Sequence, residues 1–158
     1  MKNGCRIIAV AGLPGSGKST LVRKLASEEN IHVDHQFADL YRDPDKNLPE
    51  AREFIRKAEP IIIADIAFCG EEGRNKMYED LQITSDDVEW HCIEKNVVQC
   101  LLNCVQRRHF HAPEKYKNGG RNFDDEIGYV IRFAKSFEYP FSVHMHHVSK
   151  KGDEIRKL

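Results

Sequence analysis

No apolar run in this chain approaches the ~18 residues that a membrane-crossing helix needs, so no membrane span is expected. The N-terminal "MKNGCRIIAVAG" has a short apolar run that leads straight into a glycine-rich loop, which suits a strand and not a signal peptide. No C-x-x-C pair occurs, and the five cysteines (Cys5, Cys69, Cys92, Cys100 and Cys104) are odd in number. A disulfide framework is therefore not expected, and reduced thiols in a cytoplasmic compartment are the simplest account. An excess of either charge is missing too: 24 basic side chains face 25 acidic ones, for a net charge of −1. A global basic signature of nucleic-acid binding is thus absent. There is no internal repeat, no low-complexity tract, and no N-K-x-D motif of the kind GTPases use to read their base.

What is present is an ordinary globular composition, 41% hydrophobic and 31% charged, in 158 residues. That length suits one domain, expected to span 1–158. The charge is unevenly spread. Residues 1–103 carry 13 Lys/Arg and 18 Asp/Glu, while residues 104–158 carry 11 and 7. The basic excess therefore lies late in the chain.

The most informative stretch is "GLPGSGKST", residues 12–20. Gly12, four residues, then Gly17, Lys18 and Ser19 match the phosphate-binding loop G-x-x-x-x-G-K-[ST]. Glycine lets the backbone reach positive φ and bring several N–H groups close to a phosphate. The loop opens a helix, whose N-terminus favours anionic oxygens. Gly12, Leu13, Pro14, Gly15, Ser16, Gly17, Lys18, Ser19 and Thr20 form the expected nucleotide cradle. Lys18 is placed for the β- and γ-phosphates, and the Ser19 hydroxyl for Mg²⁺. The context agrees, because "RIIAVA" before the loop reads as a buried strand and "STLVRKLASEE" after it as a helix.

The same alternation continues along the chain. Strands are predicted at Arg6–Ala11, Ile31–His35, Pro60–Ala67, Val88–Ile93 and Phe141–Val148. Helices are predicted near 18–29, 48–58, 71–81, 95–108 and 123–138. "IIIADIAF" is apolar almost throughout, as a parallel strand covered on both faces should be. The expected fold class is α/β: a three-layer α/β/α arrangement around a parallel sheet of about five strands, with a small lid. Gly119 and Gly120 mark a mobile loop, and the tail "KKGDEIRKL" a solvated end.

Several residues are candidates to face the loop. Asp65 ends "IIIAD", and a carboxylate at the end of a buried strand faces the same crevice as the phosphate loop. It is placed for Mg²⁺ through water or for an arginine, unless it only caps the next turn. Asp39 and Arg42, in "FADLYRD", are three apart. Asp39 can accept the proton of an acceptor hydroxyl, and Arg42 can bind a phosphate on the acceptor. The alternative is an N-cap Asp with a surface Arg. Asp34, near the expected end of the second strand, rivals Asp39 as the base. Arg107 and Arg108 follow a helix whose dipole favours cations at its end. The polar, basic segment after them reads as a lid over nucleotide, about 107–123, from which an arginine can stabilise the transferring phosphoryl group. Two metal readings are weaker than structural ones: Cys100 and Cys104 with His109 or His111, against packing on one helix face, and the histidines of "VHMHHV" (His144, His146 and His147), against a final strand with a polar face.

In this order, "GLPGSGKST", "DLYR", "IIIADIAF" and "VEWHCIE" with an arginine-bearing helix resemble the kinase domain of bacteriophage polynucleotide kinase and its P-loop relatives. The resemblance runs from about residue 6 to 140. It implies that Asp39 is the general base, that Arg42 binds an acceptor phosphate, that Asp65 stands at the end of the third strand, and that Arg107 is a lid arginine. Asn103 stands where the family has another lid arginine. No phosphatase domain is expected after residue 158. Relatives of this size include phage kinases acting on hydroxymethylated pyrimidines in DNA. The resemblance thus implies an ATP- and Mg²⁺-dependent kinase for a hydroxyl on a nucleic acid, probed against two alternatives: a small-molecule kinase and an NTPase switch. The last is disfavoured because Ile66, not a glutamate, follows Asp65.

Overall fold

The computed structural model describes residues 4–117 and 122–148. Gly119, Gly120 and the tail from residue 149 lie outside the described residues. Five strands form one parallel sheet: β1 (Ile7–Ala11), β2 (Gln36–Phe37), β3 (Ile61–Ala64), β4 (Val88–Ile93) and β5 (Val143–His146). Their order is β2-β3-β1-β4-β5, so β1 is central. Ile7 of β1 stands between Ile61 of β3 and Val88 of β4. Five helices connect them: α1 (Lys18–Glu28), α2 (Pro44–Arg56), α3 (Glu71–Leu81), α4 (Val97–Gln106) and α5 (Phe123–Lys135).

The sheet separates two apolar layers because successive strand residues point to opposite faces. Ile8 and Val10 of β1 pack with Val22 and Leu25 of α1, Cys100 and Cys104 of α4, and Val130 of α5. Ile7, Ala9 and Ala11 face the other way, toward Ala51 and Ile55 of α2 and Met77 and Leu81 of α3. β1 and β3 are buried along their whole length, which explains their unbroken apolar sequences. This is the three-layer α/β/α fold with a parallel five-stranded sheet that the sequence predicts. All five cysteines are buried, free thiols. Cys100 and Cys104 pack into the core, and no cysteine belongs to a metal-ligating cluster among the described residues. Among the described residues, no helix is long and apolar enough to cross a membrane.

β3 ends at Ala64 rather than Ala67, β5 spans only Val143–His146 and α5 ends at Lys135; three further differences have clear local reasons. The second strand is not Ile31–His35. Ile31 belongs to the end of α1: Asn30 turns left-handed at φ 54°, and the Ile31 N–H donates to the Ala26 carbonyl at 2.8 Å. That is a Schellman cap. Val33–His35 then forms a 3₁₀ turn, capped by the His32 ring accepting from the Asp34 N–H. Only Gln36 and Phe37 pair as strand. Helix α2 starts four residues earlier than predicted, at Pro44, whose fixed φ suits a first turn. Helix α4 stops at Gln106, and Arg107–His111 continues as one π-helical turn.

A buried cation joins α3 to the end of α5. Arg74 donates from Nη1 to the carbonyls of Phe68 (3.1 Å) and Glu138 (2.7 Å). Beside it, Gly73 passes so close to the preceding turn that an added Cβ would stand 2.0 Å from the Ala67 carbonyl oxygen. Gly128, on the exposed face of α5, has nothing within 4 Å of such a Cβ. The same substitution is therefore expected to have opposite signs at the two sites. Gly73→Ala should destabilise by about 1–3 kcal/mol through overpacking. Gly128→Ala should stabilise by about 0.5–1 kcal/mol, because alanine is the better helix former. Urea unfolding of the two variants checks both signs.

Candidate nucleotide and acceptor site

The loop after β1 takes the shape its glycines permit. Gly15 has φ 76° and Gly17 has φ 105°. Gly17 is the N-cap of α1, so Lys18, Ser19 and Thr20 form the helix's first turn. Gly15 also runs tight against α4. An added Cβ would stand 2.5 Å from the Cys100 carbonyl oxygen and 2.8 Å from Cys104 Sγ. The Gly15 carbonyl accepts a 2.8 Å hydrogen bond from Asn103 Nδ2, and Gln99 Nε2 supports Asn103 from one turn away at 3.0 Å. Asn103 is completely buried. Asn103 thus supports the phosphate loop from below, at the position where the resemblance puts an arginine.

Lys18 Nζ donates to the carbonyls of Gly12 (2.8 Å) and Leu13 (3.2 Å), so its charge lies along the loop. Burial pulls the Lys18 pKa down, while the carboxylates of Asp39 and Asp65 act in the opposite sense. Ser16 Oγ is buried inside the loop without a hydrogen-bond partner. Buried hydroxyls are normally satisfied. An orphan hydroxyl, a lysine resting only on neutral carbonyls, and an exposed Ser19 at the first turn of a helix fit a bound triphosphate and its Mg²⁺.

Asp65 follows β3 directly and is buried. Its Oδ1 accepts the Ala67 N–H at 2.9 Å and its Oδ2 the Tyr41 N–H at 2.8 Å. The first bond caps the turn Ile66–Cys69. The second fastens the turn Leu40–Arg42 to the sheet. Burial raises the Asp65 pKa, and the two backbone N–H bonds oppose that rise. Each oxygen keeps a further lone pair.

Asp39 stands at the N-cap position of the Leu40–Arg42 turn, yet its side chain caps nothing. Asn47 of α2 holds the turn from behind, donating from Nδ2 to the Asp39 and Leu40 carbonyls. Two clefts meet at this residue. One, of about 440 Å³, runs along the loop past Lys18, Ser19 and Arg107. The other, of about 510 Å³, is bounded by Arg42, Asp43, Lys46 and Asn47. Asp39 lines both. Asp34 does not join them. It precedes β2, at the strand end away from the phosphate loop, and pairs with His32 at 3.2 Å.

Arg107 is the first residue of the π-helical turn and lines the loop cleft. It pairs with Glu126 of α5, whose other oxygen accepts the Tyr116 hydroxyl at 2.6 Å. Burial, then this bond, push the Tyr116 pKa up to about 12. Arg108 instead lies over the Phe123 ring, 4.8 Å from its centroid. Sequence reasoning passed over Arg23 and Lys115, which line the same cleft, and Lys46 in the adjoining one. Arg23 lies on α1 beyond the loop and was within reach of a helical reading; Lys46 and Lys115 carry no local signal.

The model for the viral superfamily 1 RNA helicase core domain matches residues 8–68, less than half of the chain. That stretch runs from β1 through the phosphate loop to the turn after β3. No curated protein matches the chain. Among solved structures, a gluconokinase from Sinorhizobium meliloti 1021 is similar at 13% identity and a TM-score of 0.56, over 98% of this chain and 89% of that one. Kti12 from Chaetomium thermophilum, solved with ADP-AlF3, has 17% identity and a TM-score of 0.49 over 95% and 93% of the two chains. The chain has the fold of the P-loop kinases and NTPases.

Proposed function

We propose that this protein is an ATP- and Mg²⁺-dependent kinase that transfers a phosphoryl group to a hydroxyl on a nucleic acid. The acceptor hydroxyl is either a 5′ end or the hydroxymethyl group of a modified pyrimidine in DNA. The observation that carries this reading is the position of Asp39, an exposed carboxylate without a capping role at the junction of the two clefts. A phosphoryl donor in one cleft and an acceptor in the other would meet beside it.

The roles follow from chemistry and placement. The loop amides from Gly12 to Thr20 and Lys18 bind the phosphates. Ser19 and Asp65 would hold Mg²⁺, and Asp65 also fixes the turn that carries Asp39. Held there, the metal would supply charge neutralisation on the transferring group. Asp39 orients the acceptor hydroxyl and takes its proton late, because an alcohol's pKa lies far above that of a carboxylic acid. Arg42 binds a phosphate beside the acceptor hydroxyl, and Lys46, which borders the same cleft, adds to its positive charge. Arg107, in the proposed lid, stabilises charge on the phosphoryl group.

A small-molecule acceptor is the second reading. It is favoured by the near-neutral net charge, and a small-molecule kinase, the gluconokinase, shares the fold. Salt separates the two readings, since binding to a DNA strand weakens steeply as salt rises and turnover of an uncharged acceptor does not.

These roles predict the behaviour of three variants. Asp39→Asn should leave ATP binding intact and lower transfer by about 10²-fold or more. Arg42→Ala should raise KM for the acceptor, most for acceptors with a phosphate beside the hydroxyl. Transfer of label from γ-labelled ATP to 5′-hydroxyl DNA, 5′-hydroxyl RNA, hydroxymethyluracil DNA and free nucleosides measures both; label on the nucleosides alone would select the second reading. Arg107→Ala should lower kcat by roughly 10²–10⁴-fold. A loss of thermal stability with unchanged kcat would make the Arg107–Glu126 pair structural, and Arg108→Ala serves as the milder control.

A further inference from the structure

On the far side of β4 from α2 and α3, the sheet edge carries a group of imidazoles that the phosphoryl-transfer reading does not use. Register brings them together. His91 of β4 stands opposite His144 of β5, and Ile93 opposite His146. Because alternate strand residues share a face, Glu89 and His91 lie on the same side of β4, next to His144 and His146. His91 Nε2 is 3.0 Å from Glu89 Oε1, and His144 Nε2 is 3.8 Å from the same oxygen. One ligand atom from each of Glu89, His91 and His144 lies within 4.8 Å of the others, the only such group among the described residues.

We propose that Glu89, His91 and His144 form a binding site for one first-row divalent transition metal of the Zn²⁺ type, clipping edge strand β5 to β4. Two imidazoles and one carboxylate are a common donor set for zinc. Ligands about 2.0–2.1 Å from a tetrahedral ion stand about 3.3 Å from one another. The separations from Glu89 Oε1, 3.0 and 3.8 Å, bracket that value, and the two imidazoles, whose rings stack with centroids 4.8 Å apart, must turn toward one another to close the site.

The surroundings match what metal-bound imidazoles and carboxylates need. The other ring nitrogen of His91, Nδ1, is 2.9 Å from His146 Nε2. With a metal on Nε2, Nδ1 carries the proton and donates it to His146, which fixes the tautomer of His91. Glu89 Oε2 accepts from Arg6 Nη2 at 2.9 Å and from Nε at 3.1 Å, which leaves Oε1 facing the two imidazoles. Arg6 Nη2 also approaches Oε1, at 3.3 Å, and Arg6 is itself paired with Glu29, so its charge is shared. His91 is nearly buried, whereas the His144 side chain is 64% exposed. The ion would thus enter from solvent onto a preformed Glu–His pair, with water as its fourth ligand. Oxygen-preferring Mg²⁺ and Ca²⁺ suit this nitrogen-rich set poorly.

The test is a zinc titration of tag-free chain, by calorimetry and by competition with a chromophoric chelator. The variants are His144→Ala, whose exposure spares the fold, and His147→Ala. His147 is 95% exposed, pairs with Glu94 and lies outside the group. Wild type and His147→Ala should bind one Zn²⁺ that His144→Ala binds at least tenfold more weakly or not at all. Saturating Zn²⁺ should raise Tm for wild type and not for His144→Ala, and neither Mg²⁺ nor Ca²⁺ should compete. Equal zinc stoichiometry and affinity in wild type and His144→Ala, no zinc binding by wild type, or an equal loss in His147→Ala would each overturn the site.

Discussion

The hydrogen bond from Asn103 to the Gly15 carbonyl anchors the phosphate loop, on which the proposed chemistry depends. The phosphate loop turns through two residues of positive φ, which only glycine adopts freely. Such a loop leaves backbone groups unpaired, and a buried unpaired carbonyl costs about 1–3 kcal/mol. Asn103 satisfies one of them from α4, in a fully buried contact between residues far apart in sequence. The contact needs Gly15 to have no side chain, because α4 fills the space a Cβ would take. Loop shape, helix position and core packing are therefore one constraint. Lys18 and Ser19 inherit their places from it, as the first turn of the helix that the loop opens.

A second linkage carries that constraint toward the turn bearing Asp39 and Arg42. Asp65 ends a strand paired directly with β1 and accepts the Tyr41 N–H through Oδ2. The turn bearing Asp39 and Arg42 is thereby held at a fixed height above the sheet, with Asn47 supporting it from α2. The carboxylates of Asp39 and Asp65 both act on Lys18, and Asp39 acts on Asp65. These three groups form one electrostatic unit at the carboxyl ends of the strands, where open parallel sheets bind their ligands. Arg107 closes the other wall of the cleft through its pair with Glu126.

Much of this was legible in the sequence where residue type dictates local conformation. A glycine-rich loop between a β-branched run and a helical pattern has few other structures available to it, and "IIIAD" announces a buried strand with a carboxylate at its end. What stayed illegible depends on contacts between distant segments or on competition between local options. Ile31 reads as the start of a strand, but it closes the Schellman cap of α1. The pair of hydrogen bonds that Asp65 accepts is not legible in the sequence, because one donor, the Tyr41 N–H, lies 24 residues away in another segment. Asn103 reads as a missing arginine; only the packing of α4 against the loop gives it a task. The histidines of "VHMHHV" show no third ligand in their own segment, and it is the β4–β5 register that brings Glu89 and His91 beside them.

Calorimetric titration of MgATP into wild type and Lys18→Ala tests the account at its root. Saturable binding to wild type should weaken by roughly 10–100-fold in Lys18→Ala, the worth of a charge-assisted hydrogen bond, with the fold unchanged by circular dichroism. Equal affinity in the two proteins, or no binding of MgATP by folded wild type, would contradict it.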